Sequence, residues 1–275
     1  MDFEKITDKI INWIKDQVGN SNIVIGISGG KDSTICAMLS TLAIGKEKVF
    51  GVMIPDGKQK DISDSERVCE LLGIEYTTVN IGKVTTALRQ ALFQTTGKYN
   101  MSDETNFKFR LSSKTLTGPY TFNDMYETNT PARIRMTTLY GVAAILGNCR
   151  VINTCNGDED YVGYSTKYGD SAGDFSPLAN LTVAEVLQVG VVCAKRLGIY
   201  EELKDLIFKT PDDGMSGKSD EQKLGFTYEV LGKYRRTGIC EDVAIKAKID
   251  KMHKANLHKI RLMPKFEDEE LKEVI

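Results

Sequence analysis

The residues most able to do chemistry stand early in the chain, where an apolar run meets two glycines. Residues 22–28 form a short run rich in β-branched side chains, which is typical of a buried parallel strand. Gly29 and Gly30 follow at once, and an apolar helical pattern begins after Lys31. A strand, a tight turn and a helix in this order aim backbone N–H groups at one point, which suits an anion. We therefore predict a phosphate-binding loop.

Polar side chains in this loop indicate a metal beside the anion. Ser28, Ser33 and Thr34 offer hydroxyl donors. Asp32 places a carboxylate next to the expected phosphate, and these like charges are compatible only if a cation such as Mg²⁺ lies between them. The glycine spacing matches neither the Walker A loop nor the Gly-x-Gly-x-x-Gly dinucleotide fingerprint. A glycine turn that binds no ligand is the alternative interpretation.

A second carboxylate cluster follows a later predicted strand. Thr154-Cys-Asn-Gly-Asp-Glu159-Asp160 leaves the carboxyl end of a strand expected over residues 150–154. Ligands of open α/β sheets bind at that edge of the sheet. We therefore expect Glu159 to lie on the same edge as Asp32 and to complete a Mg²⁺ site. A solvated acidic loop is the alternative.

Two further motifs carry charged side chains whose purpose the residues alone leave open. In Asn129-Thr-Pro-Ala-Arg133-Ile-Arg135-Met136, the asparagine suits a helix cap and the arginines suit a surface. In the glycine-rich stretch 163–174, Lys167 and Asp170 place opposite charges three residues apart. The glycines there would let the backbone approach a ligand closely, although a purely structural turn also fits.

The elements that must position these residues alternate between strand and helix, which predicts parallel pairing through right-handed crossovers. We predict strands over residues 22–28, 48–54, 75–81 and 150–154. Helices are predicted over 3–18, 31–44, 61–72, 85–96, 131–146, 181–197, 201–208, 220–234 and 241–256, with a loop over 156–176. The expected fold is one α/β domain over residues 1–275, with a doubly wound, mostly parallel five-stranded sheet flanked by helices. Residues 98–130 are interpreted as an insertion or a mobile arm, and 210–219 as a flexible loop.

Composition narrows the classes of partner. The chain has 275 residues, 41% of them hydrophobic, and a net charge of −2 without a basic stripe, which argues against nucleic acid. No apolar run is long enough to span a membrane and no signal-peptide pattern opens the chain, so we expect a cytoplasmic protein. The six cysteines form no Cys-x-x-Cys pair, and only two histidines are present, which disfavours zinc or an iron–sulfur cluster.

Taken together and in order, these motifs resemble the ammonia-dependent NAD synthetases of the ATP-pyrophosphatase superfamily. The resemblance spans roughly residues 5–265 and adds Gln59, Ser219-Asp220-Glu221 and His258-Lys259 to the segments above. It implies that deamido-NAD is amidated with ammonia and ATP through an adenylate, releasing AMP and pyrophosphate. It also implies a homodimer, with the dinucleotide at the interface. The ammonia-using form is expected because no glutaminase domain flanks the matching region.

The resemblance also implies roles for individual residues. Ser28, Gly29, Gly30, Lys31, Asp32 and Ser33 would form the pyrophosphate loop, with Asp32 and Glu159 binding Mg²⁺. Gln59 would lie near the adenosine of ATP and Thr154 near its phosphates. Asn129, Arg133, Lys167 and Asp170 would contact deamido-NAD or the adenylate, with Asp170 orienting ammonia or taking a proton from ammonium. Asp220, His258 and Lys259 would close over the dinucleotide.

Two positions depart from the family pattern. Val183 stands where family members often carry a lysine that reaches the ATP phosphates, and Asp212 replaces a hydroxyl residue near phosphate. Other interpretations are a GMP-synthetase-type amidating domain, a tRNA-modifying enzyme with the same loop, and a nucleotide sensor without turnover. The first would lack the Arg133 and Lys167 motifs, and the second would need a basic RNA surface.

Overall fold

A parallel sheet forms the centre of the protein. A computed structural model of the chain describes residues 1–59, 62–94, 124–209, 219–261 and 263–264. Within them the sheet has four strands in the order β3-β2-β1-β4, and all neighbours are parallel. The strands are β1 (Asn22–Gly26), β2 (Val49–Met53), β3 (Glu75–Thr78) and β4 (Cys149–Val151). All four predicted strands are therefore present, each shorter than expected.

The predicted count of five strands is wrong for the part of the chain that the structure describes. Beyond β4 the sheet continues only as a single parallel bridge between Ile152 and Phe175. The backbone N–H of Asp174 continues this pairing by donating to the Val151 carbonyl at 2.7 Å. Its side-chain Oδ2 also accepts from the Val151 N–H at 2.7 Å. The Asp174 carboxylate therefore binds the Val151 N–H, to which a fifth strand would otherwise have bonded.

Helices cover both faces of the sheet. Within the described residues they are α1 (Phe3–Val18), α2 (Lys31–Ile44), α3 (Ile62–Leu72), α4 (Gly82–Gln94), α5 (Asp124–Leu146), α6 (Gly157–Val162), α7 (Val183–Leu197), α8 (Tyr200–Ile207), α9 (Asp220–Leu224), α10 (Tyr228–Thr237) and α11 (Val243–Ile260). None of these helices combines the length and apolar character that a membrane crossing requires.

Two helix predictions and one loop prediction were wrong in detail. The helix predicted to begin at Pro131 begins at Asp124, so the proline lies inside α5. The helix predicted over 220–234 is split at Gly225, whose φ of 74° ends α9. The loop predicted over 156–176 contains α6. Residues 98–123 of the predicted insertion and residues 210–218 of the predicted flexible loop lie outside the described residues.

Strand β1 is buried on both faces because its apolar side chains alternate between two cores. Ile23 and Ile25 pack in a cluster with residues of α1, α2, α7 and α8. Val24 packs in a second cluster with Met136 and Leu139 of α5. Each fully buried isoleucine or valine contributes roughly 1.5–3 kcal/mol through removal of apolar surface from water. The continuous apolar run of the sequence is thus explained by a strand with no solvent-facing side.

The strand order creates the crevice in which the candidate site lies. The chain runs from β1 outward through β2 to β3 and then returns to the other side of β1 as β4. The loops that follow β1 and β4 leave the same edge of the sheet in opposite directions. This is the topological switch point at which open α/β folds bind ligands.

Candidate functional site

The loop between β1 and α2 has the backbone shape of an anion site. Gly29 has φ of 75°, and a Cβ there would lie 2.9 Å from the Asp64 Cβ of α3. Ser28 and Ser33 close the loop, with their hydroxyl oxygens 2.9 Å apart and the Ser28 N–H donating to Ser33 Oγ at 3.2 Å. The N–H groups of the first turn of α2 have no partner within the helix, so they are oriented toward the crevice as donors.

Lys31 and Asp32, at the start of α2, form an ion pair inside the protein. Lys31 Nζ lies 2.7 Å from Asp32 Oδ2, and the two side chains are 5% and 16% exposed. Burial works to lower the pKa of Lys31, but the charges of Asp32, Glu159 and Asp220 outweigh it and raise that pKa. Lys31 therefore stays charged in a crowded, carboxylate-rich setting.

A cleft of about 220 Å³ opens beside Lys31. It combines cationic, anionic, apolar and hydroxyl-bearing side chains, namely Lys31, Val183, Leu187, Phe208, Lys209, Ser219, Glu221 and Tyr228. Lys209 reaches back to Asp64, with Nζ 2.9 Å from Oδ2. Val183, one of the two departures noted in the sequence, is thus a wall of the same cleft that Lys31 lines. The other departure, Asp212, lies outside the described residues.

The loop after β4 brings Glu159 toward Asp32. Asn156 caps α6 by accepting from the N–H groups of Asp158 and Glu159, and the Glu159 carboxylate accepts from the Asn156 N–H. The amide of Asn156 also contacts Asp32 Oδ1 at 3.4 Å. Burial and the charge of Asp32 together raise the pKa of Glu159 well above its usual range. The predicted pair of carboxylates is therefore assembled at the switch point.

Helix α6 is held in place by close backbone packing at Gly157. A Cβ at this position would lie 2.4 Å from the Ala179 carbonyl oxygen and 2.9 Å from that of Leu181. Asp158, fully buried, pairs with Arg235 at 2.6 Å and accepts from the Val183 N–H at 2.8 Å. These contacts fix the helix that carries Glu159 against α7 and α10.

We expect Gly157→Ala to lower the free energy of unfolding by roughly 1–3 kcal/mol, because the methyl group meets two backbone oxygens that cannot move aside. Gly141→Ala in α5 is the matched control, since a Cβ there meets nothing within 4 Å. The control should be unchanged or stabilised by roughly 0.5–1 kcal/mol. Chemical denaturation of both variants tests this, and equal stability of the two would contradict it.

A second group of predicted residues lies around the loop after α6. Arg133 Nε donates to the Lys167 carbonyl at 3.2 Å, and Lys167 Nζ donates to the His258 carbonyl at 2.6 Å. Lys259 Nζ donates to the carbonyls of Gly163 and Ser165 at 2.7 and 2.8 Å. The structure thus brings Arg133, Lys167, His258 and Lys259 together through backbone carbonyls rather than through their side chains alone.

Asp170 is the carboxylate of this second group. It is exposed, and its Oδ1 accepts from the Thr166 N–H at 2.9 Å. Partial desolvation by the surrounding protein raises the pKa of Asp170. The hydrogen bonds from Thr166 and the charge of Lys259 act in the opposite direction. Thr166 in turn donates from Oγ1 to Asn129 Oδ1 at 2.8 Å, which ties the motif of α5 to this loop.

Asp220 is placed apart from the two residues with which it was grouped in the sequence. It accepts from the hydroxyls of Tyr164 and Tyr228 at 3.1 and 3.4 Å. Its charge acts on Lys31 and Glu159, while His258 and Lys259 contact the loop after α6. The buried Asp220 therefore faces the β1 side of the site.

Gln59 lies at the periphery of the candidate site, and Thr154 lies near its centre. Gln59 is exposed on the loop that follows β2, just before the gap at residues 60–61. Thr154 is half-buried between β4 and α6, near the carboxylates. Both lie at the carboxyl edge of the sheet, as the order of strands requires.

Asn153 was missed by the sequence analysis. Its side-chain amide donates to the carbonyls of Asp170 and Ala172 at 2.6 and 2.9 Å, and its Oδ1 accepts from Cys155 N–H and the Ser176 hydroxyl. It therefore joins the end of β4 to the loop that carries Asp170. The signal that the sequence offered was a polar asparagine directly after an apolar strand. A buried polar side chain at such a place needs hydrogen-bond partners.

The donor set can be compared with what a metal requires. In the described ranges no three His, Cys, Asp or Glu side chains gather around one point. Asp32 and Glu159 supply two carboxylates, and a Mg²⁺ ion bound to nucleotide usually takes one or two carboxylates and completes its shell with phosphate oxygens and water. The repulsion that raises the pKa of Glu159 is what a cation between the two carboxylates would relieve. The residues present fit such an ion.

Known proteins of one family resemble this chain over nearly its whole length. The family model described as NAD synthase matches residues 3–269. An NH(3)-dependent NAD(+) synthetase from Pyrococcus horikoshii is 34% identical over 98% of this chain and 97% of its own. Among solved structures, an NMN synthetase from Francisella tularensis superposes with a TM-score of 0.76 at 27% identity, covering 97% of this chain and 100% of its own. An NH3-dependent NAD synthetase from Campylobacter jejuni gives 0.67 at 28% identity, with the same two coverages.

Proposed function

The chain belongs to the NAD synthase family, and we propose that it amidates deamido-NAD to NAD with ammonia, consuming ATP. The observation that carries the proposal is the contact of Asp32 in the β1 loop with Asn156, the residue that caps the helix carrying Glu159, in a chain that matches the family over nearly its whole length. The enzyme is accordingly an ammonia-dependent ligase that forms a C–N bond.

The reaction chemistry suits the β1 loop. A carboxylate is a poor electrophile, so the nicotinate carboxylate first attacks the α-phosphate of ATP, forming an adenylate and releasing pyrophosphate. Ammonia then attacks the acyl carbon and AMP leaves. We place the departing pyrophosphate in the loop from Ser28 to Ser33, since fixed N–H donors stabilise charge that develops there. The close approach of Gly29 to Asp64 supports this, because only glycine fits the turn.

Asp32 and Glu159 would hold Mg²⁺ in this proposal. When bound, such an ion screens the negative charge of the phosphates. The support is the chemistry of the two carboxylates and their mutual repulsion. Lys31 adds a buried cation beside Asp32. Thr154, which follows β4, would contact the phosphates of ATP. Gln59 would contact adenosine.

Deamido-NAD or its adenylate would be held by Asn129, Arg133, Lys167 and Asp170, with His258 and Lys259 at its rim. The contacts that support this run from α5 through Thr166 to Asp170, and from Lys167 to α11. Asp220 would act on the ATP side, because it lies with Lys31 and Glu159. Asp170 would orient ammonia or take a proton from ammonium.

We further propose a homodimer in the cytoplasm, built from one domain per chain. An apolar stripe on α4 supports the dimer: Val84, Leu88 and Leu92 recur every four residues and are 53%, 39% and 36% exposed. We propose that a second copy of the chain covers this stripe. In sedimentation velocity runs, wild-type protein should sediment as a dimer and Leu88→Asp should shift toward the monomer. A Leu88→Asp variant that remains a dimer would place the interface elsewhere.

A second candidate substrate is the mononucleotide, since the Francisella tularensis neighbour is an NMN synthetase. The amidation chemistry is identical, because the same nicotinate carboxylate is activated. The two substrates differ only by the adenylyl half of deamido-NAD. Relative kcat/KM for deamido-NAD and nicotinate mononucleotide therefore decides between them.

An end-point assay tests the function. Purified protein is incubated with deamido-NAD, ATP, Mg²⁺ and ammonium chloride, with glutamine replacing ammonium in a parallel reaction. We expect NAD and AMP in equal amounts, no ADP, and little product with glutamine. AMP formed only with xanthosine monophosphate or a tRNA would assign the protein to a sister family, and no ATP cleavage with any substrate would indicate a binding protein.

A further inference from the structure

The ion pair of Lys31 with Asp32 is unusual because the two residues are consecutive in a helix. Side chains one residue apart on a helix do not normally face each other. Here Lys31 Nζ nevertheless lies 2.7 Å from Asp32 Oδ2, with both side chains largely buried. Lys31 therefore folds back onto its neighbour.

The surrounding charges explain why the lysine takes this position. Asp32, Glu159 and Asp220 all act on the Lys31 ammonium, and Asp32 acts directly on Glu159. Carboxylates brought together in a crevice repel each other unless a cation lies among them. Among the protein's own side chains, Lys31 is the cation that lies on Asp32, with Nζ 2.7 Å from Oδ2.

We infer that Lys31 is an internal counter-ion that occupies Asp32 until nucleotide arrives, so that Mg²⁺ enters with ATP rather than before it. The inference rests on the proposed function, in which Asp32 and Glu159 hold the ion. An ammonium group on Asp32 competes with a divalent cation for the same oxygen and repels it. Metal binding without nucleotide is therefore weak.

The cleft provides the means of exchange. Lys31 lines the cleft beside the phosphate loop, so its ammonium can contact phosphates placed there without moving to another part of the protein. The triphosphate gives Lys31 an alternative anion and at the same time supplies oxygen ligands to the metal. Asp32 is released to the metal as Lys31 turns to the phosphate. The lysine thus couples metal binding to nucleotide binding.

Electron paramagnetic resonance of Mn²⁺ measures this coupling without turnover. Wild-type protein should bind Mn²⁺ weakly by itself and about tenfold or more tightly with a non-hydrolysable ATP analogue, once the Mn²⁺ bound by the analogue in protein-free samples has been subtracted. Lys31→Met should bind Mn²⁺ alone about tenfold more tightly than wild type, because the competing cation is gone. Its dependence on the analogue should be correspondingly smaller. Lys209→Met is the matched control, since Lys209 lines the same cleft but pairs with Asp64; its Mn²⁺ affinity without nucleotide should match wild type.

Thermal unfolding gives a second readout. Lys31→Met removes the ammonium from three carboxylates, so its Tm should fall in metal-free buffer and rise on adding Mn²⁺ by more than the wild-type Tm does. Lys31→Gln should behave in the same way. It takes the place of Lys31→Met if Lys31→Met does not fold.

The outcomes separate the inference from the function beneath it. Lys31 variants that bind Mn²⁺ no more tightly than wild type overturn the inference. Tight Mn²⁺ binding by wild type without nucleotide, unchanged by the analogue, overturns it without any variant. No Mn²⁺ uptake by wild type even with the analogue overturns the proposed metal site itself.

Discussion

Asp32→Asn is expected to lower kcat/KM for NAD formation by about a thousandfold or more, which corresponds to about 4 kcal/mol of transition-state stabilisation. The substitution keeps the size of the side chain but removes the charge that would bind Mg²⁺. It also leaves Lys31 without the carboxylate oxygen that now lies 2.7 Å from its Nζ. Steady-state kinetics with saturating ammonium measures the effect.

The fold should survive this change. Asp32 is 16% exposed, and Asn156, its other polar contact, is fixed independently by the cap of α6. Asp205→Asn is the control for loss of a carboxylate in an ion pair, since Asp205 pairs with Arg67 in an exposed position on α8. Exposed pairs contribute roughly 0–1 kcal/mol, so the control should keep near wild-type activity. Near wild-type activity of Asp32→Asn, with the fold intact, would remove Asp32 from the metal site.

The part of this site that comes from β1 could be predicted because its signal is local. The apolar run, the two glycines and the helical pattern after Lys31 are consecutive, and backbone geometry follows from them. The meeting of Asp32 with Glu159 also followed from a general property of parallel sheets. The sequence contained no comparable signal for the position of Lys31, because its fold onto Asp32 depends on charges 128 and 189 positions further along the chain, at Glu159 and Asp220.

The errors in the fold have specific physical causes. Pro131 was interpreted as the first turn of a helix, where the missing N–H costs nothing, yet α5 continues through it. The count of five strands failed because the Asp174 side chain occupies the Val151 N–H. A carboxylate that replaces a strand partner cannot be distinguished in sequence from any other loop aspartate.

The position of Asp220 shows the same difference between local and distant signals. Ser219 caps α9 with its hydroxyl, a pattern visible in the sequence. The hydroxyls that bind the Asp220 carboxylate belong to Tyr164 and Tyr228, on opposite sides of it in the chain. The capping residue could be predicted, but the side of the site that the helix faces could not.

Asp170→Asn is expected to lower turnover by about 10²- to 10⁴-fold at neutral pH, the range that a general base contributes. The surroundings of Asp170 raise its pKa, which makes the carboxylate a stronger base than a free one. A base acts only when deprotonated, so wild-type turnover should fall as the pH drops through this raised pKa. The asparagine variant should lack that acidic limb, and pH profiles of kcat for both proteins test this.

The pH dependence of the defect distinguishes the two roles open to Asp170. If Asp170 takes a proton from ammonium, the defect at constant total ammonium should shrink as the pH rises, because free ammonia then replaces the proton transfer. If Asp170 only orients ammonia through its charged oxygen atoms, the defect should be the same at every pH above the pKa of Asp170. Asp250→Asn, a change in a carboxylate that pairs with Lys246 on α11, should leave both the rate and the profile unchanged. If Asp170→Asn turns over as fast as wild type at neutral pH, both roles are excluded. Each role needs the charged carboxylate whose Oδ1 accepts from the Thr166 N–H.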